Sequence, residues 1–209
     1  MWVVKIGGSL LGSPELKRWL DIVVKFSDGK VIIVPGGGIF ADAVREAQQL
    51  SNISDAVAHK LALMAMDQFG LLMAGMNPEL VTASSELEIA ERGWQHRGII
   101  WLPSKMVLAD ECVPQNWQVT SDSLSAWLAN KIGAEQLLLV KSKSLADYPK
   151  SQSIPLQTLI DDALIDHEFG RFVKAQHYQT RLFNKASCSL FEHEFSLNSL
   201  EEIGLLIAH

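Results

Sequence analysis

Short apolar runs alternate along the chain with longer stretches in which apolar residues recur every three or four positions. The runs are rich in β-branched residues, as is typical of buried parallel strands. They predict strands at residues 2–6, 31–34, 79–82, 98–102 and 136–140, with another at 187–191. The longer stretches predict helices from Pro14 to Asp28 and over 39–50, 54–73, 84–92, 119–133 and 156–165, with loops at 103–118 and 142–155. Because parallel strands need helical crossovers, this alternation predicts one α/β domain over residues 1–209.

The predicted helix 54–73 differs from the others because apolar residues surround it almost completely. Such a helix is buried either within a domain or between subunits. Its methionines favour an adaptable subunit contact, so a homo-oligomer formed through this helix is one hypothesis. A plain core helix explains the pattern equally well.

Composition narrows the function classes. The 209 residues carry a formal net charge of -6, which provides no basic surface for nucleic acid. Cys112 and Cys188 match no metal or redox spacing and indicate reduced, buried thiols in preference to a disulfide. The N-terminus lacks the pattern of a signal peptide, and charged residues interrupt the longest apolar stretch, 56–76. We therefore expect a cytoplasmic protein without a membrane span.

Two glycine clusters each follow a predicted strand. Gly7, Gly8 and Ser9 come after strand 2–6, and Gly36, Gly37 and Gly38 come after strand 31–34. Consecutive glycines expose backbone N–H groups, which together form a concave site for anions such as phosphate. Neither the P-loop nor the dinucleotide-binding spacing is present. Two facing clusters predict a site that holds two phosphoryl-bearing molecules.

Lysines end or interrupt two of the apolar strands. Lys5 lies within strand 2–6, and Lys141 directly follows strand 136–140. An unpaired ammonium is costly to bury, so each lysine is expected to meet an anion at the strand end. The alternative for Lys5 is an edge strand with its ammonium in water.

Asp122 opens the predicted helix 119–133. It is either an acid favoured by the helix N-terminus or a carboxylate that orients the lysines and a metal ion around a transferring phosphoryl group. The histidines show no metal-ligand spacing, and no side chain of the chain is assigned as a metal ligand.

Three motifs in order carry a family resemblance: Val-Val-Lys-Ile-Gly-Gly-Ser-Leu-Leu, Ile-Ile-Val-Pro-Gly-Gly-Gly and Val-Thr-Ser-Asp-Ser-Leu-Ser-Ala-Trp-Leu-Ala. Over residues 1 to about 150 the chain resembles the amino acid kinase superfamily. The resemblance implies a three-layer αβα sandwich with a mainly parallel central sheet. It also implies binding of ATP with Mg2+ and phosphorylation of a small acceptor.

The resemblance also implies residue roles. Lys5 would contact the transferring phosphoryl group, and Asp122 would hold the catalytic lysines. The remaining assignments are ATP contacts at Gly7, Gly8, Ser9, Lys141, Asp147 and Tyr148, and acceptor contacts at Gly36, Gly37, Gly38, Arg45 and Ser121. Many members carry a further lysine after the nucleotide loop, for which Lys174 and Lys185 are the candidates here.

Within the superfamily the chain is most similar to the short (aminomethyl)furan phosphate kinase branch of methanogens and methylotrophs. The likeness lies in Pro-Gly-Gly-Gly-Ile-Phe-Ala-Asp-Ala-Val-Arg and in the segments around His59 and Trp117. It implies an acceptor that is itself a phosphate monoester, which Arg45 would bind. The alternatives are a uridylate, isopentenyl phosphate or acetylglutamate kinase-like enzyme, or a non-catalytic nucleotide-binding storage or regulatory protein of the same fold.

Overall fold

The computed structural model of the protein describes residues 1–149, 153–173 and 177–208. Its centre is an eight-stranded sheet in the order β3-β4-β2-β1-β5-β7-β8-β6. Neighbouring strands are parallel except β7 and β8, which pair antiparallel. The strands are β1 Trp2–Ile6, β2 Val31–Pro35, β3 Leu80–Ala83, β4 Gly98–Trp101, β5 Gln136–Lys141, β6 Ile154–Pro155, β7 Gln179–Asn184 and β8 Leu205–Ala208.

Helices cover both faces of the sheet, which confirms the predicted three-layer αβα architecture. The helices are α1 Pro14–Phe26, α2 Gly38–Ser51, α3 Asp55–Met76, α4 Glu86–Trp94, α5 Ser104–Leu108, α6 Ser121–Lys131, α7 Leu156–Asp161, α8 Phe169–Val173 and α9 Leu197–Ile203. Alternate residues of the central strands point to opposite faces. Val3 and Leu137 belong to a core cluster with α6, whereas Val4 and Leu138 belong to a second cluster with α1.

Several local predictions were wrong. Cys188 is buried as predicted, but Cys112 is exposed. The predicted loop 142–155 ends in β6, and the predicted helix 156–165 ends at Asp161. The predicted strand 187–191 lies mostly within a 3-10 helix, Lys185–Leu190, because the Asn184 side chain accepts a hydrogen bond from the Ala186 N–H and turns the chain. The predicted loop 103–118 contains α5. Its first residue, Ser104, donates both its N–H and its hydroxyl to Asp67 on α3, so a distant side chain caps this helix.

Helix α3 is buried on one side and exposes an apolar row on the other. Phe69 and Met73 are fully buried, whereas Val57, Met64 and Leu71, spaced seven residues apart, are about half exposed. The exposed row fits the subunit contact suggested by the sequence. The homo-oligomer stays a prediction, and a monomeric mass by light scattering would contradict it.

The sheet topology brings the carboxyl ends of β1, β2 and β5, which the predicted site residues follow, next to one another. Strand β1 is central, and its last residue, Ile6, pairs in register with Pro35 of β2 and Val140 of β5. The chain leaves β1 toward β2 on one side and later returns to place β5 on the other. In open α/β sheets this switch point, outside the carboxyl ends of the strands, is where ligands bind.

Candidate active site

The two glycine clusters touch each other backbone to backbone. A Cβ on Gly8 would lie 2.1 Å from the Gly38 nitrogen, and a Cβ on Gly36 would lie 2.3 Å from the Gly8 nitrogen. Gly38 has a φ of +54°, in the left-handed region that favours glycine. Gly7 continues β1 by donating its N–H to the Val140 carbonyl at 3.1 Å. The structure therefore places the two predicted anion sites against each other.

Beside these loops, Asp122 bridges the ammonium groups of two lysines. Lys5 Nζ lies 2.7 Å from Asp122 Oδ1, and Lys141 Nζ lies 2.5 Å from Asp122 Oδ2. Lys5 and Asp122 are each less than 5% exposed. The edge-strand alternative for Lys5 is wrong, because β1 is a central strand and the ammonium is paired. Each lysine was expected to meet an anion at its strand end. In the structure both meet the same one, the Asp122 carboxylate.

Lys5, Asp122 and Lys141 form a lysine–aspartate trio, in which burial and neighbouring charges shift the pKa values in opposite directions. Burial alone would raise the pKa of Asp122, but Lys141 and Lys5 outweigh burial and hold that pKa well below its ordinary value. Burial lowers the pKa of Lys141 to about 8, although the Asp122 carboxylate opposes the change. With both lysines protonated, two positive charges face one negative charge. Asp166 adds a second, more distant acidic group that favours the charged form of Lys141.

Asp166, which sequence reasoning missed, holds the start of α6 and thereby Asp122. Its Oδ2 accepts from the Thr120 N–H at 3.0 Å, the Thr120 hydroxyl at 2.6 Å and the Ser123 N–H at 3.0 Å. The Ser123 hydroxyl also donates to Asp166. Burial, with the nearby Asp122 charge, raises the pKa of Asp166. No local signal marks Asp166, because it lies in a connecting segment more than forty positions after Thr120 and Ser123.

A cavity of about 470 Å³ opens between the glycine loops, α2, α3 and the start of α6. Its polar lining includes Arg45, Asp42 and Ser121, and an apolar wall is formed by Leu63, Met66 and Leu124. The structure thus places Arg45 and Ser121 in the same cavity as Gly37 and Gly38. Gly36, the remaining predicted acceptor contact, does not line it, whereas Gly8 and Ser9, predicted to contact ATP, do.

Arg45 is held in place within this cavity. Its guanidinium carbon lies 4.6 Å from the centre of the Trp117 ring, and its Nη1 lies 2.6 Å from Asp42 Oδ1. The Trp117 indole N–H in turn donates to Gln48 at 2.6 Å. A guanidinium stacked on an aromatic ring keeps its outer N–H groups available to an oxyanion.

The loop after β5 begins beside the first glycine cluster. Ser9 Oγ and Ser142 Oγ are 2.8 Å apart, which links the two segments. Farther along this loop, Asp147 and Tyr148 line a second cavity of about 620 Å³, and the Tyr148 hydroxyl donates to Asp162. These two predicted ATP contacts therefore lie apart from the lysine–aspartate trio.

Of the two candidates for a further lysine, Lys185 is not paired with Asp122. Lys185 Nζ pairs with Glu15 at 3.2 Å, outside the trio, and Lys174 lies outside the described residues. The position beside Asp122 is filled by Lys141, which the sequence assigned to ATP binding. Its place at the end of β5, next to β1 in the sheet, explains why it reaches the same carboxylate as Lys5.

The described residues contain no group of three or more acidic, histidine or cysteine side chains arranged to hold a metal ion. Asp122 is committed to its two lysines. Mg2+ would therefore fit this site as part of the ATP complex, held by phosphate oxygens. Across the same residues, no helix has the length and apolar character needed to cross a bilayer.

The sequence is similar to known proteins over most of its length. The model of the amino acid kinase family matches residues 1–152. A curated protein of Methanocaldococcus jannaschii, named (5-(aminomethyl)furan-3-yl)methyl phosphate kinase, is 36% identical over 142 residues, which cover 66% of this chain and 64% of that protein. The chain thus matches less than two thirds of that relative's length.

Solved structures show the same fold over nearly the whole chain. The uridylate kinase of Archaeoglobus fulgidus superposes with a TM-score of 0.70 at 15% identity and covers 99% of both chains. The UMP kinase of Bacillus anthracis superposes with a TM-score of 0.66 at 14% identity and covers 99% of this chain and 98% of its own.

Proposed function

Because the chain belongs to the amino acid kinase family, we propose that it transfers the γ-phosphoryl group of ATP to a small phosphate monoester. The observation that carries this proposal is the Asp122 carboxylate bridging Lys5 and Lys141 next to two touching glycine loops. Such an arrangement neutralises phosphoryl oxygens and holds donor and acceptor in line, which is most of what phosphoryl transfer asks of a protein.

In this mechanism each loop holds one anion. Gly8 and Ser9 bind the ATP phosphates, while Gly37, Gly38 and Arg45 bind the acceptor phosphate. The N–H groups of Gly7 and Gly36 donate to the Val140 and Ile6 carbonyl oxygens at 3.1 and 2.8 Å, so these two glycines shape the loops and do not donate to a ligand. Lys5 and Lys141 face the group in transfer, and Asp122 fixes both ammonium positions. An acceptor oxygen forms the new P–O bond as the bond to the leaving ADP breaks. A monoester is already ionised at neutral pH, so its attacking oxygen needs no general base. Mg2+ bound to ATP would neutralise further charge.

The acceptor we propose is an (aminomethyl)furan-type monoester, which would become a diphosphate in the synthesis of a methanofuran-type one-carbon carrier. Two observations support it. The 36% identical relative carries that activity in its name. The cavity combines an apolar wall of Leu63, Met66 and Leu124 with the arginine Arg45, which suits a flat apolar body bearing a phosphate.

Turnover with a panel of acceptors tests the function. Incubation with MgATP and (5-(aminomethyl)furan-3-yl)methyl phosphate, UMP, isopentenyl phosphate or acetylglutamate, followed by ³¹P NMR, should show a diphosphate product with the furan monoester at the highest kcat/KM. A higher value for UMP or isopentenyl phosphate would move the acceptor to those classes. ATP binding without turnover of any acceptor would favour the storage or regulatory alternative and overturn the proposal.

The Lys141 ammonium gives the reaction an alkaline limit. The pKa of Lys141 is lowered to about 8, so its positive charge is present below that pH and is lost above it. We expect kcat/KM, which reports ionisations of the free enzyme, to fall as the pH rises through about 8. Lys141→Arg, whose side chain stays charged, should move this limb to higher pH. An unchanged limb in that variant would assign the titration to another group.

A further inference from the structure

His59 is a buried side chain on the wall of the acceptor cavity that the mechanism above does not use. It lies on α3, and only 4% of its surface is exposed. Its Nδ1 lies 3.2 Å from the backbone carbonyl oxygen of Asn116. A carbonyl oxygen only accepts, so Nδ1 carries the hydrogen and donates it.

The other ring nitrogen, Nε2, has no hydrogen-bond partner among the described residues. Burial lowers the pKa of His59, which favours the neutral imidazole. In the neutral ring with a hydrogen on Nδ1, Nε2 presents a lone pair. That Nε2 is buried and accepts no hydrogen bond from any residue that the structure describes. A buried acceptor without a donor is costly, and such atoms usually mark a missing water, ion or ligand.

We propose that His59 Nε2 accepts a hydrogen bond from an N–H or O–H group on the body of the phosphoryl acceptor. This inference rests on the proposed function, because the transferring end of the acceptor must lie at the glycine loops. His59 then selects monoesters that carry a hydrogen-bond donor away from the phosphate. An ammonium on a short carbon arm and a hydroxyl share this chemistry, and neutral imidazole is suited to both.

Three matched monoesters distinguish recognition of a hydrogen-bond donor by His59 from a structural or general-base role. They share the furan ring and the phosphate, and carry aminomethyl, hydroxymethyl or methyl at the same ring carbon. For the native enzyme, kcat/KM should favour at least one donor-bearing compound over the methyl compound on the order of 10- to 100-fold. In His59→Phe that ratio should fall to about one, since the phenyl ring fills the space without an acceptor atom.

The ratio is informative because a structural or general-base role would lower the rate with all three acceptors by one common factor. His193→Phe, the same change at an exposed histidine, is the control and should keep the native ratio. His59→Gln, whose amide offers both a donor and an acceptor, should give a kcat/KM ratio between those of the native enzyme and His59→Phe. The compound with the larger native preference identifies the donor.

Imidazole ¹⁵N NMR of the native protein tests the same inference without a variant. The expected spectrum shows a hydrogen on Nδ1 and a free lone pair on Nε2, whose resonance shifts when the donor-bearing monoester binds without its phosphoryl donor. A hydrogen on Nε2, or equal turnover of the three monoesters by the native enzyme, would overturn the inference and leave the proposed function standing. Absence of turnover with every acceptor would instead overturn the proposed function.

Discussion

Asp122→Asn is expected to lower kcat on the order of 10²- to 10³-fold, because the amide cannot hold both ammonium groups where charge develops in the transition state. In the native protein its two oxygens lie 2.7 Å from Lys5 and 2.5 Å from Lys141. Asparagine keeps the size of the side chain but offers one neutral acceptor and one donor. Steady-state kinetics with the preferred acceptor measure the loss, and native turnover in the variant would contradict the catalytic assignment.

The same substitution should also destabilise the fold. It leaves two buried ammonium groups without their counter-ion, which costs about 3–5 kcal/mol when a buried charge loses its partner. Denaturant unfolding measures this difference. The deficit should narrow as the pH rises toward the ordinary lysine pKa, because the buried lysines of the variant can then lose their protons. The control is Asp161→Asn, at an exposed carboxylate of α7, which should stay within about 0.5 kcal/mol of the native protein.

Sequence patterns predicted the centre of the fold well because its strands are buried on both faces. Apart from Lys5, the interiors of strands β1, β2 and β5 are apolar runs, and the glycine clusters follow two of these strands directly. Lys5 could be singled out because it breaks a local rule, whereas Asp122 fits a helix N-terminus and its role was predicted from the family resemblance. A lysine in a buried strand has no local explanation and therefore points to a tertiary partner.

Strand β7 could not be predicted, because its polar residues are buried by distant contacts. Thr180 is fully buried, and Arg181 is 5% exposed. Arg181 Nη2 lies 2.8 Å from Gln179 Oε1 and 3.5 Å from Glu201 Oε1. A window of sequence shows three consecutive polar residues there, Gln179 to Arg181, whereas the fold supplies a carboxylate partner for the buried Arg181 from α9.

Asp166 and Lys141 show a similar limit within the site. Asp166 acts through Thr120 and Ser123, which are far from it in sequence. Lys141 is expected from the sequence to meet an anion at its strand end, but that this anion is Asp122 depends on β5 and β1 being neighbours in the sheet. Both facts follow from strand order, which periodicity alone does not determine.

Gly8→Ala is expected to lower kcat/KM for both substrates by about 100-fold or more, the loss typical of reacting groups displaced by about 1 Å. The added methyl carbon would lie 2.1 Å from the Gly38 nitrogen and 2.6 Å from its Cα. Backbone atoms cannot rotate away as a flexible side chain does, so the two loops must separate. Initial-rate kinetics with each substrate varied in turn measure the effect.

Gly75→Ala is the matched control for this substitution. Gly75 lies in α3 with nothing within 4 Å of an added Cβ, so the change should leave kinetics unaltered and stabilise the helix by about 0.5–1 kcal/mol. The informative measurement is whether Gly8→Ala changes kcat/KM for ATP, for the acceptor or for both. Since Gly8 lies in the loop proposed to bind ATP but touches Gly38 in the loop proposed to bind the acceptor, its alanine variant should weaken use of both substrates. A rise confined to the KM for ATP would show that the two loops work independently, and the shared contact would then have no part in aligning donor and acceptor.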